Sequence, residues 1–363
     1  MSSPLRRRLL GALLACLMGL GAACGDTDDG GTDDDAAGTT ERVTLRLLTH
    51  DSFALSEDLL AAFTEETGIE VELIQGGDAG TVVNQAILTK GNPQGDVLFG
   101  VDSTFLSRAL DEDLFVPYEA AELDEVGEAF LLDDEHRVTP VDYGDVCLNY
   151  DKAYFAERGI AVPDTLEALT DPTYRDLLVV ENPATSSPGL AFLLASVDAF
   201  GEAGWEDWWR DLKANGVLVT EGWEEAYYGQ FSGGATSEGT RPLVVSYASS
   251  PPAEVIFADP PVDEAPTGVV TAGCYRQIEA AGILEGTEHE EEAGRLLDFL
   301  LSEEVQADVP TSMFVYPVRS GVELPPEFVE HAVAPDDVAE LDPAVIGRHR
   351  EAWIDTWTDL VAR

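Results

Sequence analysis

From Val43 onward the apolar positions fall in short blocks that switch between a strand-like and a helix-like period. VTLRLL (Val43 to Leu48) reads as a strand. Ser56 then caps a helix with Glu57 and Asp58 in its first turn, Leu59, Leu60 and Phe63 inside, and Gly68 just past its end. IEVELI (Ile69 to Ile74) is the next strand, GGDAGT (Gly76 to Thr81) leads into a second helix through Lys90, and DVLFGVD (Asp96 to Asp102) is a third strand. Strands separated by single helices predict a parallel sheet with right-handed crossovers. Ligands of such sheets sit at the carboxyl ends of the strands. Here those ends carry His50, Asp51 and Ser52, then Gly76 to Gly80, then Asp102 and Ser103. Asp51 also suits a plain turn and Ser103 a plain helix cap. GGDAG lacks both the Gly-Lys-Ser/Thr ending of a phosphate loop and the spacing of a dinucleotide fingerprint.

Further along, TPVDYGDVCLNYDK (Thr139 to Lys152) has the pattern of a strand that crosses into a second lobe. Another strand ends near Glu181, and TSSPG (Thr185 to Gly189) opens a helix. Hydroxyls and free N–H groups at a helix start make a seat for an anion or a polar ligand, although capping alone accounts for Ser186 or Ser187. Residues 271 to 284 read as a strand returning to the first lobe, 286 to 309 as one amphipathic helical stretch, 310 to 318 as a short aromatic turn, and 350 to 363 as a final helix.

Between these lies the densest chemistry. GWEEAYYGQF (Gly222 to Phe231) and LVVSYASSPP (Leu243 to Pro252) set Trp223, Tyr227, Tyr228 and Tyr247 beside Glu224, Glu225 and a pair of serines. Ring faces attract cations and carboxylates neutralise them, so the cluster suits a planar, positively charged ligand. A Trp and a Tyr four apart also share one helix face and pack inward as ordinary core.

The amino terminus has a different character. Arg6, Arg7 and Arg8 precede an apolar run from Leu9 to Ala23, too short to span a membrane permanently, which reads as an export signal (residues 1–23). The small residues before Cys24 resemble a lipobox, with Gly21 where that pattern usually has Leu, Val or Ile, and predict a lipidated Cys24. Residues 24–42 hold six aspartates among Gly, Thr and Ala, and read as an acidic, self-repelling tether. Anchor, tether and body together place the protein outside the cell membrane or in the periplasm, attached through lipid. The 363-residue chain has a formal net charge of -50, and Lys90, Lys152 and Lys213 are its only lysines. Nucleic acid is a poor partner for such a surface, because no basic face is available to neutralise phosphate. The acid load reads as a solubility feature that suits high salt, where screening relieves self-repulsion.

The order of the crossing strand, DPTYRDL, NPATSSPGL, GWEEAYY, LVVSYASSPP, VPTSMFVYPV and a closing Trp-rich helix resembles the bacterial thiamine-binding proteins, and THDSF and DVLFGVD belong to the same likeness. These are the extracytoplasmic components of ABC importers for thiamine and its phosphates. The resemblance implies an α/β, type II periplasmic-binding-protein fold of two lobes joined by two crossover strands, with the ligand cleft between them. Lobe 1 is expected from residues 43–139 plus 275–315, and lobe 2 with the C-terminal helices from 140–274 plus 316–363. It implies a monomer that binds thiamine or its phosphates, works with membrane permease and ATPase subunits, and needs no cofactor or metal. Trp223 and Tyr247 become ring contacts. Thr185, Ser186 and Ser250 meet the hydroxyethyl or phosphate end, and Asp51, Ser52 and Asp102 face the cleft from lobe 1. Phe314 stands where the family often has Trp, and Ala253 where it has a tyrosine, leaving Tyr227 or Tyr228 to supply that ring.

Three other readings use the same residues. Ferric-ion binders of this architecture employ adjacent tyrosinates, for which Tyr227 and Tyr228 are candidates; iron would also want a carboxylate or histidine. A polyamine binder needs rings and acids too. A thiaminase-like enzyme would use Cys147 as nucleophile, with Glu224 or Glu225 as base. Against the enzyme, Cys147 has a partner in Cys274 on the other crossing strand, and exported proteins favour disulfides.

Overall fold

The computed structural model describes residues 42–363, so the export signal, Cys24 and nearly all of the acidic tether lie outside the described residues. The body starts with β1 (Thr44–Thr49), α1 (Glu57–Thr67), β2 (Glu70–Gln75), α2 (Ala79–Leu88) and β3 (Val97–Asp102). These are the elements the periodicity predicts, shifted by about one residue at their ends. Gly68 closes α1 in the left-handed region (φ 75°), a conformation that glycine adopts without a Cβ penalty. The Ser56 side chain does not cap α1; its hydroxyl goes to Asp308 instead. β1 pairs in parallel with both β2 and β3. Every residue of β3 is buried, as expected of a parallel strand covered on both faces.

After α3 (Leu106–Asp111) and the short β4 (Phe115–Val116), the chain enters the long β5 (Thr139–Asp151). It continues through α4 (Lys152–Arg158), β6 (Leu178–Glu181), α5 (Ser187–Ala214), β7 (Leu218–Thr220), β8 (Leu243–Tyr247) and α6 (Pro251–Ile256). The 18-residue β9 (Thr267–Leu284) then runs back antiparallel to β5. α7 (Glu290–Leu300), α8 (Glu303–Ser312), β10 (Tyr316–Pro317), α9 (Pro326–His331) and α10 (Pro343–Trp357) complete the body.

All the strands belong to one sheet, ordered β2-β1-β3-β9-β5-β8-β6-β7, with β4 on β9 and β10 on β5. β3 pairs with the end of β9 and β8 with the end of β5, so these two strands carry the chain from one parallel set to the other. Their ladder shifts register between Val146 and Leu148, where residues 271–274 bulge from β9. The Cys147–Cys274 disulfide closes over that bulge and joins positions 127 apart in the chain.

Two expectations change at the C-terminal side. The helical stretch expected from 286 to 309 is two helices, because Ser302 accepts the Val305 N–H (3.3 Å) and starts α8 afresh. The aromatic turn expected from Pro310 begins only after Ser312, with Phe314 in the left-handed region (φ 58°). The closing tryptophans are core. Trp357 meets Trp209 of α5 edge-on at 5.5 Å, and both are enclosed, a pairing worth about 0.5–1.5 kcal/mol beyond its buried area. Among the described residues no helix is long and apolar enough to cross a membrane.

The disulfide generates a stability prediction. In the chain-entropy account, closing so long a loop stabilises by about 5 kcal/mol. Denaturant unfolding of a Cys147→Ser, Cys274→Ser double variant should show a loss of that order, and a loss under about 1 kcal/mol would refute the loop-closure account.

Candidate functional site

The carboxyl ends of β1, β2, β6 and β8 open on one cleft of ≈ 290 Å³, near the lower end of the sizes that hold small organic ligands. His50, Asp51 and Ser52 reach it from the end of β1, Asp78 from the start of α2, and Ser187 from the start of α5. Trp223, Glu224, Tyr227 and Tyr228 come from a wide helical turn at residues 225–230 and its approach. Tyr247 ends β8 and Ser250 follows it, Gln277 and Glu279 project from β9, and Phe257 and Phe314 stand at the rim.

The rings are held by hydrogen bonds as well as by packing. Trp223 stacks on Tyr227 (centroids 5.0 Å, 21° between planes), and its indole N–H donates to Ser246 Oγ at 2.9 Å. Tyr227 is buried and donates to Glu254 at 2.7 Å, while Tyr228 meets both rings edge-on. Tyr247 donates to Gln277 Oε1 at 3.1 Å. Its ring lies against the backbone of Gly144, where a Cβ would fall 2.6 Å from the ring, so only glycine leaves Tyr247 room. Ser250 accepts the Tyr247 N–H and bonds to Ser246 Oγ.

The charged part of the lining is acidic apart from His50. Asp51, Asp78, Glu224 and Glu279 face the cleft, and among the described residues neither Lys nor Arg lines it. Burial raises the pKa of Asp78, opposed by the Trp223 N–H, His50, the Ser186 hydroxyl and the Ala79 N–H. Burial also raises Glu224, with the Asp51 charge adding to it. Behind the lining, burial holds Asp142 and Glu181 well above the usual carboxylate range, and Glu279 and Asp78 respectively add to the effect. His50 Nε2 stands 3.2 Å from Glu279 Oε1. Burial lowers the histidine's pKa, but Glu279, then Asp78 and Asp51, outweigh it and leave it raised. A cleft of this kind attracts a cation between flat rings.

Of the residues expected at the site, Asp51, Ser52, Trp223, Tyr227, Tyr247, Ser250 and Phe314 meet in the cleft. Asp102 does not face it. That carboxylate is fully enclosed, held by Thr104 and Ser187, and burial pushes its pKa up to about 6. Thr185 spends its hydroxyl on the Glu221 carbonyl (2.6 Å), and the enclosed Ser186 caps α5 through the Gly189 N–H (3.4 Å). Cys147 is fully buried in its disulfide and so is no free thiolate. Glu279 and Gln277 escaped the sequence reading. The available signal was a charged residue in the otherwise apolar run QIEAAGIL, a placement that is costly without a purpose.

Residues 92–342 match the profile described as bacterial extracellular solute-binding protein. The chain belongs to that family. Among these solute-binding proteins, the thiamine-binding periplasmic protein of Salmonella typhimurium is 29% identical over 333 residues, covering 90% of this chain and 96% of the relative. A solved periplasmic thiamin binding protein superposes with a TM-score of 0.79 at 28% identity, covering 90% of this chain and 98% of that one. An iron-bound protein from Pseudomonas aeruginosa, with a TM-score of 0.68 and 22% identity over 88% of this chain and 99% of its own, shares the type II fold.

The His50–Glu279 pair generates a pH prediction. A histidine whose pKa is raised on folding adds stability that is complete below about pH 6.5 and is lost as pH climbs through the raised value. The difference in unfolding midpoint between wild type and His50→Gln should therefore shrink from pH 6 to pH 9. A constant difference across that range would show that the pair does not stabilise the fold.

Proposed function

We propose that this solute-binding protein captures thiamine outside the cytoplasmic membrane and delivers it to an ABC importer. The observation that carries the reading is the cleft itself: the rings of Trp223, Tyr228 and Tyr247 beside Asp51, Asp78, Glu224 and Glu279, with no Lys or Arg among the described residues that line it. Thiamine is planar and carries a fixed thiazolium charge, which matches rings and acids without requiring any protonation of the ligand. The relatives named for thiamine support the same ligand.

In this reading Trp223 and Tyr247 contact the rings of the vitamin, Tyr228 takes the place of the tyrosine that Ala253 lacks, and Phe314 closes the rim. Asp51, Ser52 and Ser250 meet the polar groups. The lobes are residues 43–139 with 275–315 and 140–274 with 316–363, joined by β5 and β9. The chain acts as a monomer, without cofactor or metal, and binds rather than transforms its ligand. Cys24 carries a lipid that holds the protein at the outer face of the cytoplasmic membrane, within reach of the permease and ATPase subunits.

The ferric reading is weaker on two counts. Burial pushes Tyr227 well above its usual pKa and raises Tyr228 as well, whereas iron needs tyrosinates. The Tyr227 hydroxyl is already committed to Glu254.

Calorimetry on ring variants tests the ligand. A stacked, desolvated cation is worth about 0.5–2 kcal/mol beyond the buried area, so Trp223→Ala should weaken thiamine binding about tenfold or more and Trp223→Phe less. Near-wild-type affinity in a folded Trp223→Ala protein would remove Trp223 from the site. Cys24→Ala should release the protein from membranes into the medium, and full membrane retention would count against the anchor.

A further inference from the structure

Among the described residues that line the cleft, His50 is the one that can carry a positive charge. Its place there is built. Gly100 of β3 has a positive φ of 102°, and a Cβ on it would fall 2.6 Å from His50 Cδ2, so glycine is what leaves the imidazole room. The ring leans on Phe99, with centroids 5.6 Å apart and 45° between planes. Its Nε2 points toward Glu279, and the side chain is only 13% exposed. A proton on this ring is therefore poorly screened by water and is felt by whatever shares the cleft.

Acids face the ring from several elements. Asp51 follows it in the chain, Asp78 acts on it from the start of α2, and Glu224 from the approach to the wide helical turn. Glu279 of β9 is flanked in the sheet by Asp102 of β3 and Asp142 of β5. The Tyr247 hydroxyl on β8 is kept neutral by burial and adds no charge. In the empty cleft this excess of carboxylate favours a proton on His50. A ligand with a fixed positive charge supplies the same neutralisation and repels that proton. Each then weakens the other by the same factor, as linkage requires.

We infer that thiamine and a proton on His50 compete for the cleft, so that capture of the vitamin expels the proton to solvent and strengthens as pH rises. This rests on the thiamine reading above. The window follows from the direction of the effect. Affinity is full above the raised pKa of His50 in the empty protein, and it falls as pH drops through that value toward about 6.5 and below. Ionisation of Asp78 and Glu224, whose pKa values burial also raises, acts in the same direction. A variant at His50 is what separates the two contributions.

The test is calorimetry with thiamine between pH 6 and pH 8, above the range in which its aminopyrimidine takes up a proton. Wild-type affinity should rise about fivefold across the window, and His50→Gln should flatten the rise to less than about twofold. Repeating the wild-type titration at pH 7 in buffers of different ionisation heat should show release of about half a proton per thiamine. That measurement needs no variant. An uncharged analogue with a benzene ring in place of the thiazolium should release none. Wild-type affinity that is flat or falls with pH, or thiamine binding without proton release, would overturn the inference and leave the thiamine reading standing. So would an unchanged pH profile in a folded His50→Gln protein, or equal proton release with the uncharged analogue. No thiamine binding at any pH in the window would overturn the thiamine reading itself, and this inference with it.

Discussion

The antiparallel ladder between β5 and β9 is the constraint on which the cleft depends, because groups on both sides of the cleft are mounted on it. Gln277 and Glu279 project from β9, Tyr247 lies on β8 hydrogen-bonded alongside β5, and its ring rests on Gly144 of β5. Phe314 stands just before β10, which pairs with β5 at Tyr143 and Asp142. A shift of one residue in the ladder would turn each strand's side chains to the opposite face. The Cys147–Cys274 bond and the bulge beside it fix the register at one of the two places where the strands fall out of step.

The second constraint is electrostatic and acts against the fold. Asp102, Asp142 and Glu181 are enclosed beneath a cleft already lined with acids, and burial raises all three toward the protonated form. Among the described residues neither oxygen of Glu181 has a hydrogen-bond partner. A core optimised for stability alone would replace such groups with apolar ones. Their placement under the cleft puts that cost beside the candidate site, where buried acids with raised pKa values tend to cluster.

Much of this was legible in the sequence, and the misses have physical reasons. The βαβ order was readable because strand and helix periods differ and Gly68 marks a helix end. The ring cluster was readable because four aromatic side chains beside acids imply a chemistry whatever their exact geometry. Asp102 misled because the sequence places it at a strand end without revealing that Ser187, 85 positions later, roofs it over. The break at Ser302 was hidden because the apolar spacing continues through LLDFLLSEE. Asp78 was visible only as part of a glycine-rich turn, since its importance comes from two distant N–H groups, those of Ser187 and Trp223.

The mounting of the cleft on the central ladder also divides its residues by how freely they can be changed. Glu279, Gln277 and Tyr247 belong to strands whose other face is packed core, so their replacement disturbs the body of the protein along with its ligand. Tyr228 and Phe257 are 44% and 57% exposed and border the cleft from outside the strands. Retargeting this solute-binding protein to a different small ligand, as a biosensor for example, therefore has its room for variation at the rim, while the floor is inherited with the fold.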